Sequence, residues 1–150
     1  MTPQQSSKHP KHYASKFRAY LTANLALVSG VNTPIPFDVV QFDTLGEFDI
    51  LVNNGFIPLQ TGYYFISIWA HIQSCTAGTW IQLMPLINGG TVGDRITEAL
   101  NLLPEATAYH GLYYLQQADI FTCTIRHNSV GNRNLIAGLF NTCFSGFRVG

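Results

Sequence analysis

The histidines are the first residues to consider for metal binding or acid–base chemistry, and the chain has five of them. His9 and His12 lie in the segment His-Pro-Lys-His, where a proline between two potential ligands disfavours a preformed metal site. His71, His110 and His127 are far apart in sequence, and each is predicted to satisfy hydrogen bonds within the fold. No His-Glu-x-x-His or paired Cys-x-x-Cys motif is present, so no metal site is expected.

Acidic and hydroxyl side chains do not form a recognisable catalytic set either. Asp43, Glu47 and Asp49 are close in sequence, but a calcium loop needs denser oxygen ligands at fixed spacing. Ser145 lies in Phe-Ser-Gly-Phe, which lacks the first glycine of a nucleophile elbow. The Asn-Gly-Gly segment at 88–90 is typical of a hairpin turn, not of a phosphate-binding loop. The sequence therefore predicts a non-enzymatic protein without a cofactor.

The cysteines give no sign of a disulfide framework. Cys75, Cys123 and Cys143 are an odd number and have no short spacing, which also excludes a zinc motif. We expect three small buried hydrophobic residues in a chain made in a reducing compartment.

The elements that would position such side chains are β-strands, and the segment 62–73 indicates this most clearly. Its sequence alternates strictly with period two, and one of its two faces is entirely apolar and is assigned to the core. The second face has three aromatic residues and no Lys, Arg, Asp or Glu, a composition typical of protein interfaces. Either another chain or another part of this chain covers it. The core face is Tyr64, Ile66, Ile68, Ala70 and Ile72, and the second face is Tyr63, Phe65, Ser67, Trp69, His71 and Gln73.

The composition favours one domain that buries much of its surface in an assembly. The chain has 150 residues, of which 47% are apolar and 11% charged, against about 25% charged in a typical globular domain. The net charge is zero, but the first eighteen residues carry four positive charges and no acid. We predict an extended basic arm over 1–16 and a domain over 17–150. The arm either docks on an acidic surface or nucleic acid, or is a solvated tail; its basic residues are Lys8, Lys11, Lys16 and Arg18.

Short strand-like stretches alternate with turns of Gly, Asn and Pro along the rest of the chain, which predicts an all-β sandwich or barrel. The first residues contain no apolar run, and no stretch is long enough to cross a bilayer, so neither a signal peptide nor membrane insertion is expected. A turn is predicted at 53–55 and a long loop at 91–108. Strands are predicted over 17–28, 37–43, 56–59, 62–73, 79–87, 109–116, 120–127, 135–140 and 143–149.

The order of several motifs resembles the globular head of complement's first component and, more distantly, the tumour necrosis factor superfamily. The most specific pieces are the Gly-x-Tyr-x-Phe strand that begins at Gly62 and the closing Phe-Ser-Gly-Phe at 144–147. Between them lie Leu-Ile-Asn-Gly at 86–89 and the segment 112–119. The resemblance covers roughly residues 17–149. One departure is Ala118, a turn position where the family usually has glycine before the aspartate.

This resemblance implies a two-sheet antiparallel jelly roll that associates as a compact homotrimer. In the family, the aromatic face of one sheet packs around the threefold axis, which fits the aromatic face of the segment 62–73. About half of the candidate residues could instead lie in the protomer core. The candidates for the trimer interface are Tyr63, Phe65, Trp69, Tyr109, Tyr113, Phe144 and Phe147.

A trimeric jelly roll with a short basic arm, without secretory or glycosylation signals, is expected to be a virion component made in a host cytoplasm. The hypothesis is a capsid decoration (cement) protein of a bacteriophage. The arm, through Lys8, Lys11, Lys16 and Arg18, would bind the major capsid protein or neighbouring decoration subunits, without direct nucleic-acid contact.

The alternatives are a receptor-binding or tail-tip module, or another surface ligand-binding trimer. In these, the loops at 74–78, 91–108 and 128–134 would recognise the ligand.

Overall fold

The protein folds into β-strands. The computed structural model describes residues 14–99 and 105–150. Within these ranges there are fourteen strands and no helix, hence no helix long and apolar enough to cross a membrane. In chain order the strands are β1 (Lys16–Tyr20), β2 (Leu25–Leu27), β3 (Thr33–Pro34), β4 (Val39–Asp43), β5 (Phe48–Asp49), β6 (Gly55–Phe56), β7 (Gly62–Ile72), β8 (Trp80–Ile87), β9 (Gly90–Thr91), β10 (Arg95–Glu98), β11 (Glu105–Leu115), β12 (Phe121–His127), β13 (Arg133–Leu135) and β14 (Cys143–Val149).

The strands pair into two antiparallel sheets. Sheet I has the order β4-β1-β14-β7-β11, and β13 and β2 continue it beside the C-terminal end of β7. Sheet II has the order β10-β8-β12-β6-β5, with β3 beside β12 and β9 beside β8. Buried side chains from both sheets form a single core cluster between them. The predicted all-β class and two-sheet antiparallel organisation are therefore confirmed.

The alternation predicted for the segment 62–73 is confirmed in β7. Its five core-facing side chains are all completely buried. Burying one large apolar side chain contributes roughly 1.5–3 kcal/mol, and a one-residue slip would turn all of them to the other side. The core is rich in aromatic rings that join the two sheets, as in the stack of Phe17 on Phe56 with centroids 4.3 Å apart.

Four of the predicted elements differ from the structure. The stretch 56–59 is in a strand only at its first residue, Phe56. The segment 91–108 was predicted as a loop but contains the second residue of β9, all of β10 and the start of β11. Three of the four residues of β10 are exposed, so no alternation marks this edge strand. The stretch 17–28 is two strands, interrupted where the backbone N–H of Thr22 donates to Asp38 at 2.9 Å. The stretch 135–140 leaves the sheet after the first residue.

Three non-glycine residues in turns adopt positive φ. Asn54 has φ of 48° and Asn88 has φ of 50°, which confirms the turns predicted at 53–55 and 88–90, because asparagine tolerates this conformation. The third is Ala118, at φ of 70° in the turn between β11 and β12. Alanine has no comparable tolerance, so its methyl group is held in an unfavourable backbone region.

The prediction that the cysteines are buried is confirmed for two of them. Cys75 and Cys123 are in the core. The prediction is wrong for Cys143, which is only half-buried. Cys143 pairs with Trp69 across β14 and β7, and this register turns both side chains away from the core.

Candidate protein-interaction face

The side of sheet I that points away from the core carries most of the candidate residues. We call it the outer face, formed by the outward side chains of β4, β1, β14, β7 and β11. The strand registers arrange these side chains in rows that cross the sheet. One row is Leu112, Phe65, Phe147 and Lys16, and the next is His110, Ser67, Ser145 and Arg18.

The outer face exposes large apolar side chains that no part of the described chain covers. Trp69 is 41% exposed, Tyr63 54% and Phe147 50%. Two of these rings contact further aromatic rings of the face: the centroids of Phe147 and Phe65 are 5.6 Å apart, and those of Tyr63 and Tyr114 are 5.1 Å apart. Because β1, β7 and β14 contain no acidic residue, the only fixed charges they place here are positive.

Four of the seven predicted interface residues lie on this outer face: Tyr63, Phe65, Trp69 and Phe147. They occupy alternating positions of β7 and one position of β14. Phe65 is half-buried, and the other three are exposed. The structure therefore brings these four candidates together on one surface.

The other three predicted interface residues point toward the core and do not lie on the outer face, and a part for them in an interface stays a prediction. Phe144 is completely buried, and its ring packs against four phenylalanine rings of the core. Tyr109 and Tyr113 are half-buried and pack against the core, with the Tyr113 hydroxyl donating to the Tyr109 hydroxyl at 2.6 Å. Burial and this hydrogen bond raise the pKa of Tyr113 above its usual value.

Sequence reasoning missed four exposed residues of the outer face. The signal for two of them was in β11, where Leu112 and Tyr114 alternate with the tyrosines that turned out to point inward. The other two are on the last residues of their strands or at the sheet edge. The four are Phe42, Leu112, Tyr114 and Val149, with exposures between 44% and 59%.

The predicted basic arm is only partly within the described residues. Lys8 and Lys11 lie outside them. Lys16 and Arg18 belong to β1, where they point to the outer face beside Phe147 and Ser145. The Arg18 guanidinium donates to the carbonyl oxygen of Leu139 at 3.2 Å.

The three clustered acids anchor turns. Asp43 accepts hydrogen bonds from three backbone N–H groups of the turn that follows it. Asp49 does the same, and the N–H groups of Leu51 and Val52 are the main cause of its lowered pKa. Glu47 is buried and accepts from the Ser15 hydroxyl and from a backbone N–H at 2.8 Å. The oxygens of these three acids therefore accept hydrogen bonds from backbone, hydroxyl and side-chain amide donors of the protein.

Two of the scattered histidines make the predicted hydrogen bonds. His127 is buried, with Nε2 3.1 Å from the Leu27 carbonyl oxygen, and Nδ1 of His71 lies 3.2 Å from the Asn141 side-chain oxygen. His110 instead stacks on Phe65 with centroids 6.3 Å apart. All three act within the fold or on the outer face, and none is paired with a nucleophile.

Two grooves open on this side of the molecule. The larger, about 560 Å³, runs along the lateral edge between β10 and β11 and has a mixed lining that includes Asp94, Arg95 and Tyr109. The smaller, about 390 Å³, lies within the outer face between Phe42, Phe65 and Phe147. An exposed apolar face with such a groove can bind another protein surface or a small apolar molecule.

Comparisons with known proteins identify the fold. Murine APRIL superposes with a TM-score of 0.67 over 91% of this chain and 100% of its own, at 14% identity. The globular domain of zebrafish complement 1qA gives 0.64 over 92% and 98%, at 12% identity. The chain has the TNF/C1q-like jelly-roll fold. Eiger TNF from S. frugiperda agrees, with 0.60 over 91% and 92% at 11% identity, whereas no protein-family model and no curated protein sequence matches.

Proposed function

We propose that this chain is a non-enzymatic, homotrimeric jelly-roll module in which the outer face of sheet I forms the interface between protomers. The observation that carries the proposal is the exposed aromatic surface built from Tyr63, Trp69, Tyr114 and Phe147. Aromatic residues without acids are typical of interface cores. The likeness in fold to the TNF and C1q globular domains supports a trimer over other assemblies.

The energetics favour covering this surface. Completing the burial of a half-exposed aromatic side chain contributes roughly 1 kcal/mol, and the outer face presents several of them side by side. Contiguous apolar patches of this kind are uncommon on monomeric proteins. With only 11% charged residues in the chain, the rest of the surface has little charge to keep isolated protomers dispersed.

Light scattering of the purified protein tests the trimer. Three copies of the 16.6 kDa chain give a mass of about 50 kDa. Phe147→Asp places an acid at the centre of the interface, so this variant is expected to be monomeric. The matched control is Ile96→Asp, since Ile96 is 57% exposed on β10 of sheet II. A wild-type mass near 16.6 kDa at micromolar concentration would contradict the proposal.

The more specific role that we propose is capsid decoration in a bacteriophage virion. The chain would be made in the host cytoplasm and would bind the major capsid protein or neighbouring decoration subunits. Two of the four positive charges in the first eighteen residues, Lys8 and Lys11, precede β1 in sequence and support a docking arm. The backbone N–H of Arg148 donates to the Ser15 carbonyl at 2.9 Å, which fixes the point where the chain joins sheet I.

Co-sedimentation with undecorated phage capsids tests this role. Because Ser15 and Lys16 are part of the folded domain, the truncated protein should lack residues 1–13 only. We expect the full chain to co-sediment with the capsids and the truncated chain to stay in the supernatant. We expect Lys8→Gln with Lys11→Gln to weaken capsid binding, and to do so most at low salt, where charges are screened least. Arg95→Gln with Arg126→Gln, both in strands of sheet II, removes the same number of charges and is the control. Binding that is indifferent to salt and to these changes would refute electrostatic docking.

Surface recognition by loops is the second candidate, as in a receptor-binding module. Three exposed apolar side chains lie on loops at the end of the molecule opposite to Lys16: Val28, Val130 and Phe140, the last two 79% and 84% exposed. Loops that present apolar side chains on a rigid scaffold are common recognition elements. Binding of the trimer to host glycans or surface proteins, lost in Phe140→Ser, would favour this candidate.

A further inference from the structure

A polar row crosses the outer face in the middle of its apolar surface. Each residue of the row pairs with the next one on the adjacent strand. In order across the sheet they are His110 on β11, Ser67 on β7, Ser145 on β14 and Arg18 on β1. The rows on both sides are mostly apolar. Large rings therefore surround two small hydroxyl side chains, and the surface is indented where the serines lie.

The two serine hydroxyls are free to bind something else. Ser67 and Ser145 are half-buried, and neither Oγ has a hydrogen-bond partner among the described residues. Neither Oγ is among the fully buried unpaired atoms, so both hydroxyls are accessible to water, to a ligand or to a partner protein.

The indentation is the 390 Å³ groove, and its lining is chemically uneven. Phe42, Phe65 and Phe147 form apolar walls, and Lys16 and Arg18 stand at one side. No acidic residue is among those that line it. The volume lies within the range of small-molecule sites, roughly 300–1,000 Å³.

We propose that this groove binds a small amphipathic anion, a carboxylate or sulfonate attached to a flat apolar body. The body would lie between the phenylalanine rings. The anionic group would accept hydrogen bonds from Arg18, Lys16 and the hydroxyls of Ser67 and Ser145. Charge complementarity selects this class: two cations and two hydroxyl donors line an apolar groove that has no carboxylate in its lining. Nη2 of Arg18 donates to the Leu139 carbonyl oxygen, which leaves Nε and Nη1 for the anion.

Occupancy of the groove has a consequence for assembly, which rests on the proposed function. Phe65 and Phe147 line the groove and also belong to the proposed trimer interface. A bound anion and a neighbouring protomer would use the same rings, so the ligand would compete with trimer formation. By linkage, dissociated protomers would bind the anion more tightly than trimers do.

Fluorescence titration with two probes of the same shape tests the site. The probe is 1-anilinonaphthalene-8-sulfonate, and N-phenyl-1-naphthylamine is its uncharged counterpart. The double variant Lys16→Gln with Arg18→Gln is expected to weaken sulfonate binding about tenfold or more, because charge-assisted hydrogen bonds are lost. Binding of the uncharged probe should not change. Arg95→Gln is the control, and circular dichroism checks that each variant is folded.

A second variant tests the groove without removing charge. The side chain at position 145 points away from the core, so the leucine of Ser145→Leu should fill the indentation. This variant should therefore abolish binding of both probes at this site. Equal sulfonate affinity in the wild type and the Gln variant, or undiminished binding in Ser145→Leu, would overturn the proposal.

Light scattering during the titration separates this inference from the trimer. A mass that falls from that of a trimer as the sulfonate binds supports both. Charge-dependent binding to a protein that stays monomeric throughout the titration supports the anion site and refutes the trimer. A trimer that binds the sulfonate with no change of mass overturns the competition. A trimer without charge-dependent binding overturns the site and leaves the trimer standing.

Discussion

Replacing Ala118 with glycine should stabilise the protein. Ala118 lies in the turn between β11 and β12 at φ of 70°, and its backbone N–H donates to the Pro58 carbonyl at 3.0 Å. The side chain of Asp119 accepts from the Gln116 N–H at 2.8 Å, so the turn is held in this conformation from both sides. The turn therefore cannot change its backbone conformation to relieve the steric strain at Ala118. The family that the sequence resembles usually has glycine at this position.

The size of the effect follows from two opposing contributions. A residue with a Cβ loses roughly 1–2 kcal/mol in the left-handed region, and glycine does not. Glycine in turn gives the unfolded chain more freedom, which costs about 0.4–1 kcal/mol. The Ala118 side chain is exposed, so its removal sacrifices little packing. We expect the free energy of unfolding to rise by about 0.5–1 kcal/mol, equivalent to about 2–3 °C in Tm for a chain of this size.

Thermal and urea unfolding at one fixed protein concentration measure this change, since an assembly makes Tm concentration-dependent. The control is Ala26→Gly, in the exposed position of β2 at ordinary negative φ, where glycine should destabilise the protein by about 0.5–1 kcal/mol. If Ala118→Gly lowers the stability as much as the control does, the argument from backbone strain is wrong.

Three further results are expected. Phe144→Ala should reduce the free energy of unfolding by about 3–5 kcal/mol, because its ring is completely buried, whereas Phe147→Ala should mainly lower the mass seen by light scattering; urea unfolding and sedimentation distinguish the two. The contribution of Tyr113 to the free energy of unfolding should be constant below pH about 10, the pKa of tyrosine in the unfolded chain. Above that pH the contribution should fall, because the pKa of Tyr113 is raised in the folded protein. Urea denaturation across pH 9–11 checks this, and Tyr113→Phe should remove that part of the fall. Cys75 and Cys123 should resist a thiol reagent until denaturant unfolds the chain, because burial raises the pKa of both thiols.

The sequence was most informative where one side of a strand is in the core and the strand has neighbours on both sides. β7 and β14 meet this condition, and both were predicted within a residue of their observed bounds. β10 does not, because among the described strands it pairs only with β8 and exposes most of its side chains. Burial on one side is what produces a period-two pattern, so an exposed edge strand leaves none to read.

The interface candidates show a second limit. β11 has aromatic residues on both of its sides, so alternation separates Tyr113 from Tyr114 without telling which one points to the core. The pairing of Tyr113 with the buried Tyr64 settles the orientation, and this register is a long-range contact. For β14 the sequence did hold the answer. Phe144 and Phe147 are three residues apart, so they must lie on opposite sides of the same strand.

The position of β14 in sheet I has a consequence for how the chain folds. The last strand lies between β1 and β7 and joins the two halves of the sheet. Without residues 143–149, the two-stranded ribbon of β1 and β4 would be separate from β7 with β11, β13 and β2, and such a ribbon is marginally stable on its own. During synthesis the sheet can therefore close only after β14, which follows all of its partner strands in sequence, has left the ribosome. Folding should be slow and late, dominated by contacts between distant residues, and partly made chains would expose unpaired strand edges to one another.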